Sequence, residues 1–217
     1  MLDLSPDDVL STTRAVRKRL DFDRPVSDDD LRACVRLAMQ APSGSNVMTM
    51  QFVIVKDEAK RLAIADIYRA CFEIYRSLDG IYVGSIKKDT PEAQAQQDRV
   101  TDSAQYLAAH MEKAPALVIA CTAPGRIDNA PAIASASMLG NVLPGMWSFM
   151  LAARARGLGT SWTTMGLMKE QEIADVVGIP FDEVQQVCLT PVAHTKGTDF
   201  RPAQRPDPDA IIHWDTW

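Results

Sequence analysis

The sequence predicts an α+β fold, and three observations predict it. Two short runs, FVIV (Phe52–Val55) and ALVIACT (Ala116–Thr122), are almost wholly apolar and rich in β-branched residues, as buried strands covered on both faces are. Longer stretches around them carry apolar residues at helical spacing. No linker, internal repeat or shift of composition divides the 217 residues. One domain over 1–217 is therefore expected, with 198–217 as a C-terminal arm.

The elements follow in order. Pro6, Asp7 and Asp8 open a short helix that Ser5 can cap. Ser27 can cap the next, SDDDLRACVRLAMQ, in which Leu31, Cys34, Val35, Ala38 and Met39 share one face and three aspartates suit the first turn. The strand Phe52–Val55 comes next. Asp57 then starts a long helix through Tyr68 and Phe72 to about Tyr75. The polar, Gly-containing stretch Ser77–Gln97 reads as an irregular loop over a binding site. A helix is expected from about Asp98 to Glu112, then the strand Ala116–Thr122. Ala130–Arg156 is rich in small residues and uncharged until Arg154, which predicts a buried central helix, kinked or interrupted by Pro144 and ended by Gly157 and Gly159. A helix over Lys169–Val177 and a strand near Val184–Pro191 complete the regular elements. The tail from Thr195 has prolines and no periodicity, and reads as an arm that needs another surface to lie on.

Composition excludes several classes. The chain is 47% hydrophobic, enough for a sizeable core, but no segment reaches the roughly 18 apolar residues of a membrane span. MLDLSPDDVL lacks the basic and apolar parts of a secretory signal. A formal net charge of -5 argues against broad nucleic-acid binding. Cys34, Cys71, Cys121 and Cys188 are far apart with no metal spacing, and read as buried, reduced residues of a cytoplasmic protein.

The chain lacks a nucleophile elbow, a Walker loop and a dinucleotide-binding glycine fingerprint. His110 lies in a helical pattern, and His194 and His213 lie in the tail; packing or capping explains each. A chain without its own acid, base or nucleophile can delegate the chemistry to a cofactor. Three segments point to one. In TTRAVRKRL, Arg14 and Arg17 are three apart, so in a helix or turn they face one way and can clamp a phosphate. A solvated basic face is the other reading of that spacing. In APSGSN, Pro42 and Gly44 make a turn, while Ser43 and Asn46 either cap it or address a ligand. In GLGTSWTTM, a glycine-paced turn leads into a small polar run.

Together these segments resemble the nitroreductase family of FMN-dependent oxidoreductases. That family has a basic segment near the N-terminus, a Pro-Ser-x-x-Asn opening before the first long strand, a Gly-Leu-Gly-Thr turn after a long buried helix, and a basic residue near the C-terminus. The matches are Arg14–Arg17, Pro42–Asn46, Gly157–Thr160, and Arg205 within FRPAQRP. The likeness runs from Thr12 to Trp217. The chain departs from the family at Thr13-Arg14-Ala15-Val16-Arg17, where Arg-Arg-Ser-x-Arg is common. It departs again at Met48 and Met50, where Gln and Trp are frequent.

The resemblance implies a sandwich with a mixed, mainly antiparallel sheet flanked by helices, in an intertwined homodimer with flavins at the interface. It implies that Arg14, Arg17 and Arg205 hold the FMN phosphate. Ser43 and Asn46 would bond the ribityl chain and ring edge, with Ala15, Pro42 and Gly44 in the same cofactor-binding segments. Backbone at Thr164 and Met165 would approach the ring. The implied activity passes hydride from NADH or NADPH through the flavin to a small electron-poor acceptor (nitroaromatic, quinone or enone) by ping-pong exchange. A dehalogenase, a flavin-cleaving enzyme and a non-catalytic flavin binder are the alternatives.

Overall fold

The computed structural model describes residues 1–128 and 130–217. Its elements are α1 (Pro6–Thr12), β1 (Leu20–Asp21), α2 (Asp28–Ala38), β2 (Met50–Val55), α3 (Glu58–Arg76), α4 (Pro91–His110), β3 (Ala116–Thr122), α5 (Ala132–Ala155), β4 (Leu158–Thr160), α6 (Glu170–Val177) and β5 (Gln185–Thr195). The five strands pair antiparallel in the order β1-β5-β3-β2, with β4 also on β5. Parallel pairing occurs only in isolated bridges, Ala15 with Thr160 and Gly125 with Val184, among the described residues. The expected helix-flanked sheet is what forms.

β3 shows why. All seven of its residues are buried, and their side chains alternate between two separate cores. Ala116, Val118 and Ala120 face α2 and α5, where they meet Leu31, Cys34, Met146 and Phe149. Leu117, Ile119 and Cys121 face α3, α4 and α6, where they meet Ile64, Tyr68, Leu107 and Ile173. The small residues on the first face let α5 approach closely.

Capping sets the helix starts as expected. Ser5 and Asp8 form a capping box, Ser27 accepts from the Asp30 N–H, and Asp57 accepts from the Lys60 N–H. Several expectations are corrected. Residues 91–97 are not loop: Thr90 caps α4 by accepting from the Ala93 N–H, and Pro91 occupies the first turn, where its missing N–H costs nothing. The remaining turn near residues 78–85 is tied down by Tyr82, whose ring packs edge-on against Phe72 and Tyr75. β2 is not buried throughout. As an edge strand it buries Met50 and Val55 and leaves Ile54 exposed. Met39, past the end of α2, is exposed too. α5 runs through Pro144 without a break. Gly157, at φ +73, turns the chain out of α5, but Gly159 lies inside β4. His194 belongs to β5, which extends to Thr195.

Candidate functional site

The segment carrying Arg14 and Arg17 is neither a helix nor a simple turn. α1 ends at Thr12, and Thr13 is already extended. The Val16 N–H then donates to the Thr160 carbonyl at 2.8 Å, and Val16 itself is buried. This docks the segment along β4, with Arg14 exposed and Arg17 half-buried on either side of Val16. Gly159 allows the docking: a Cβ there would lie 2.8 Å from Thr195 Cγ2, 2.9 Å from Leu20 Cδ2 and 3.0 Å from Val16 Cβ. The Gly-Leu-Gly-Thr motif therefore acts by backbone on the arginine segment.

Arg14, Ala15 and Arg17 line a cavity of about 1050 Å³. Arg205, far away in sequence, lines it as well, with its neighbours from Pro202 onward. The sequence-predicted convergence of Arg14, Arg17 and Arg205 is therefore present within one chain. α4 adds Gln96, Arg99, Val100 and Ser103, and Trp147, Met150 and Trp162 form an apolar wall. Sequence reasoning missed the α4 face. Its residues recur at helical spacing, but starting the helix at Asp98 left Gln96 in a supposed loop. The Thr-Pro-Glu start at Thr90 was the available signal. The two tryptophans carried no sequence signal separating them from core residues.

The cavity is strongly cationic. Arg14, Arg17, Arg99 and Arg205 line it with no carboxylate among the lining residues. Among the described residues none of the four is in an ion pair, although neighbouring Lys18 pairs with Asp102 and Arg19 with Asp199. Arg17 donates to Ser103 Oγ at 3.2 Å, and Arg14 to the Arg201 carbonyl at 3.1 Å. Burial pushes the Arg17 pKa down, with Tyr68 and Tyr75 opposing. A partly desolvated guanidinium without a counter-charge favours an anion beside it.

The other predicted residues lie elsewhere. Pro42, Ser43, Gly44 and Asn46 do not line the cavity. Gly44 N–H donates to Asn141 Oδ1 on α5 at 2.5 Å, about 9 Å along the helix from Trp147 at 1.5 Å per residue. Ser43 makes no side-chain cap bond to the 3-10 turn Gly44–Asn46. Ser45 and Asn46 both have left-handed backbone, at φ 53 and 56, which Asn tolerates better than most residues. Thr164 is exposed, and Met165 packs beside the α3 core. Met50, read as a departure near the flavin, is a core residue over Gly145, where an added Cβ would meet its sulfur at 2.2 Å.

His110 stacks on Tyr106 within α4, 4.3 Å between centroids, as packing predicts. The four cysteines are buried and unpaired. Burial holds the thiols of Cys121 and Cys188 up at about 12 and that of Cys34 at about 11. Among the described residues no cluster of His, Cys, Asp and Glu could hold a metal. Among the described residues no helix is long and apolar enough to cross a membrane.

A model of the nitroreductase family matches residues 10–194. No curated protein matches the chain. Several solved structures share its fold. Oxidized iodotyrosine deiodinase bound to FMN and 3-iodo-L-tyrosine is 20% identical, with a TM-score of 0.71 over 97% of this chain and 99% of that one. A BluB-like flavoprotein from Clostridium difficile 630 is 20% identical, with a TM-score of 0.69 over 97% and 99% of the two chains. A point mutant of the FMN and NADPH-dependent nitroreductase NfnB from Sphigopyxis sp. strain HMH is 21% identical, with a TM-score of 0.68 over 99% and 100%.

Proposed function

The chain belongs to the nitroreductase family, and from that premise we propose that it is an FMN-dependent oxidoreductase that uses NAD(P)H to reduce a small electron-poor acceptor. The observation that carries the proposal is the cavity lining: four arginines without carboxylate partners, together with two tryptophans. A flavin mononucleotide would use both, with a dianionic phosphate for the arginines and a planar aromatic system for the tryptophans. The cavity has room for it, and similar structures are described as FMN-bound or FMN-dependent. When bound, FMN supplies the redox chemistry, taking hydride from the nicotinamide and giving it to a nitroaromatic, quinone or enone in a second half-reaction.

The chain's own residues bind and orient. Arg14, Arg17 and Arg205 neutralise the phosphate, each charge-assisted contact contributing about 1.5–3 kcal/mol. Ala15 lines the cavity between the first two of them in sequence. Trp147, Met150 and Trp162 exclude water from the reacting end. No carboxylate, imidazole or thiol lines the cavity among the described residues, so the proton that accompanies the hydride comes from solvent.

A homodimer completes the site in this reading. Pro42, Ser43, Gly44, Asn46, Thr164 and Met165 are absent from the cavity of their own chain. A second copy can bring some of them to it. The surface supports this: α5 exposes Ile133, Ala136, Gly140, Leu143 and Trp147, spaced 3-4-3-4 as in a helix-packing seam. The exposed Leu37, Met39, Val47 and Met48 lie on the adjoining α2 end and turn. The arm adds Ile211, Trp214 and Trp217, the last fully exposed at 101%. Such apolar surface calls for a partner.

The test is anaerobic titration of FMN-loaded protein. NADPH or NADH should bleach the flavin absorbance, and a quinone or nitroaromatic should restore it. Protein that binds FMN but is not bleached by either nucleotide would be a flavin carrier instead. The fold shared with iodotyrosine deiodinase favours reductive dehalogenation as the second reading; reoxidation by a halogenated phenol alone would select it.

A further inference from the structure

The strand β5 ends at Thr195, and the chain must then travel from the sheet to the cavity that Arg205 lines. Three arginines hold the path. The Arg19 carbonyl accepts from the Lys196 N–H at 2.8 Å, and Arg19 Nε returns a bond to the Lys196 carbonyl at 2.9 Å. Arg19 Nη2 pairs with Asp199 Oδ1 at 2.6 Å. Arg154 Nη2 donates to the Thr198 carbonyl at 3.0 Å. Arg14, itself on the cavity, donates to the Arg201 carbonyl. Gly197, at φ +76, allows the bend between them.

Phe200 lies at the centre of these bonds. The guanidinium carbons of Arg19 and Arg154 sit over its ring, 4.3 and 4.9 Å from the centroid. Arg154 is unusual here. It is only 5% exposed, and among the described residues it has no carboxylate partner and its Nη1 has no hydrogen-bond partner. Among the described residues its other nitrogens reach only Thr12 Oγ1 and the Thr198 carbonyl. An aromatic face attracts a desolvated cation. On the arm side the Arg154 charge is therefore met by the Thr198 carbonyl and by the Phe200 ring.

We propose that residues 196–201 are a latch and that Phe200 is a positioning residue, which holds the arm root on Arg19 and Arg154 so that Arg205 reaches the anion-binding end of the cavity. The proposal deepens the flavin reading and rests on it for the identity of the anion. While the latch holds, Arg205 stands four residues from a fixed carbonyl at Arg201. With the latch open, its tether runs from Thr195, ten residues away. Local concentration falls as about the −3/2 power of tether length, so opening dilutes Arg205 at the cavity about fourfold.

The experiment compares FMN with riboflavin, which lacks the phosphate, on full-length protein by fluorescence titration. Phe200→Leu keeps an apolar side chain and removes the aromatic face. It should weaken FMN about fourfold, leave riboflavin unchanged and speed amide exchange over 196–205, while Phe200→Trp should behave as wild type. In an Arg205→Ala background, Phe200→Leu should add no further loss of FMN affinity. An equal loss for both flavins, or the same loss with and without Arg205, would overturn the positioning role. Wild-type protein that binds neither flavin would remove the flavin reading. The latch would then stand or fall on exchange alone, and unchanged exchange in Phe200→Leu would refute it. If Phe200→Leu does not fold, Arg19→Gln applies the same comparison from the other side of the ring.

Discussion

Asn46 combines two features that pull a substitution in opposite directions. Its backbone is left-handed, and no side-chain hydrogen bond within the chain occupies its amide among the described residues. Replacing it with Ala would therefore mix backbone strain with loss of the amide. Asn46→Gly removes only the amide, because glycine adopts that conformation freely. If Asn46 serves the flavin ring, Asn46→Gly should lower the bound flavin's two-electron potential by roughly 30 mV for each 1.4 kcal/mol of lost preference for the reduced form, with little change in melting temperature. Redox titration checks this; an unchanged potential would return Asn46 to the turn. The arginines give a simpler expectation. Arg14→Ala and Arg205→Ala should each weaken FMN binding about tenfold or more, from the roughly 1.5–3 kcal/mol of a charge-assisted contact. Unchanged dissociation constants in both variants would remove the clamp.

At the scale of elements, Gly159 shows how a motif can matter without touching a ligand. β4 is three residues long and pairs with β5, yet its Thr160 carbonyl fixes Val16 and hence Arg14 and Arg17. Gly159→Ala would push a methyl against Val16 Cβ, which cannot swing aside as a flexible side-chain end can. Overpacking of this kind costs about 1–3 kcal/mol. Urea denaturation of Gly159→Ala should show that loss, and its FMN affinity should fall because the arginine segment moves off β4. A stable variant with full affinity would show that the segment is positioned by other contacts. α4 teaches the converse. Its apolar pattern is weak because one face meets Tyr82 and the Leu107 core while another faces the cavity with Gln96, Arg99 and Ser103. A polar helix face over a binding cavity looks like a loop to any argument from hydrophobic period.

At the scale of the molecule, the proposed dimer makes the sharpest claim. Leu143→Glu places a charge in the centre of the exposed α5 stripe without touching the buried face of that helix. Sedimentation should shift from dimer to monomer, and FMN affinity should fall with it if the second copy completes the site. Truncation after Gly197 removes both Arg205 and the exposed Ile211, Trp214 and Trp217, and should yield monomer or aggregate. A soluble, flavin-loaded dimer in either case would show that assembly uses another surface.

The sequence by itself determined what is local in origin. Caps at Ser5, Ser27 and Asp57, the all-apolar run of β3 and the uncharged length of α5 report short-range chemistry, and each element appears where its pattern lies. The meeting of Arg14 and Arg17 with Arg205 was legible through the family motifs, not through any spacing. Only the tertiary structure decided that Arg99 joins them, that Met50 fills the space over Gly145, and that Phe200 lies under two guanidinium groups. These depend on which surfaces the sheet brings together from residues far apart along the chain. A side chain's type records its own preferences, whereas its neighbours are chosen by the packing of every element between them.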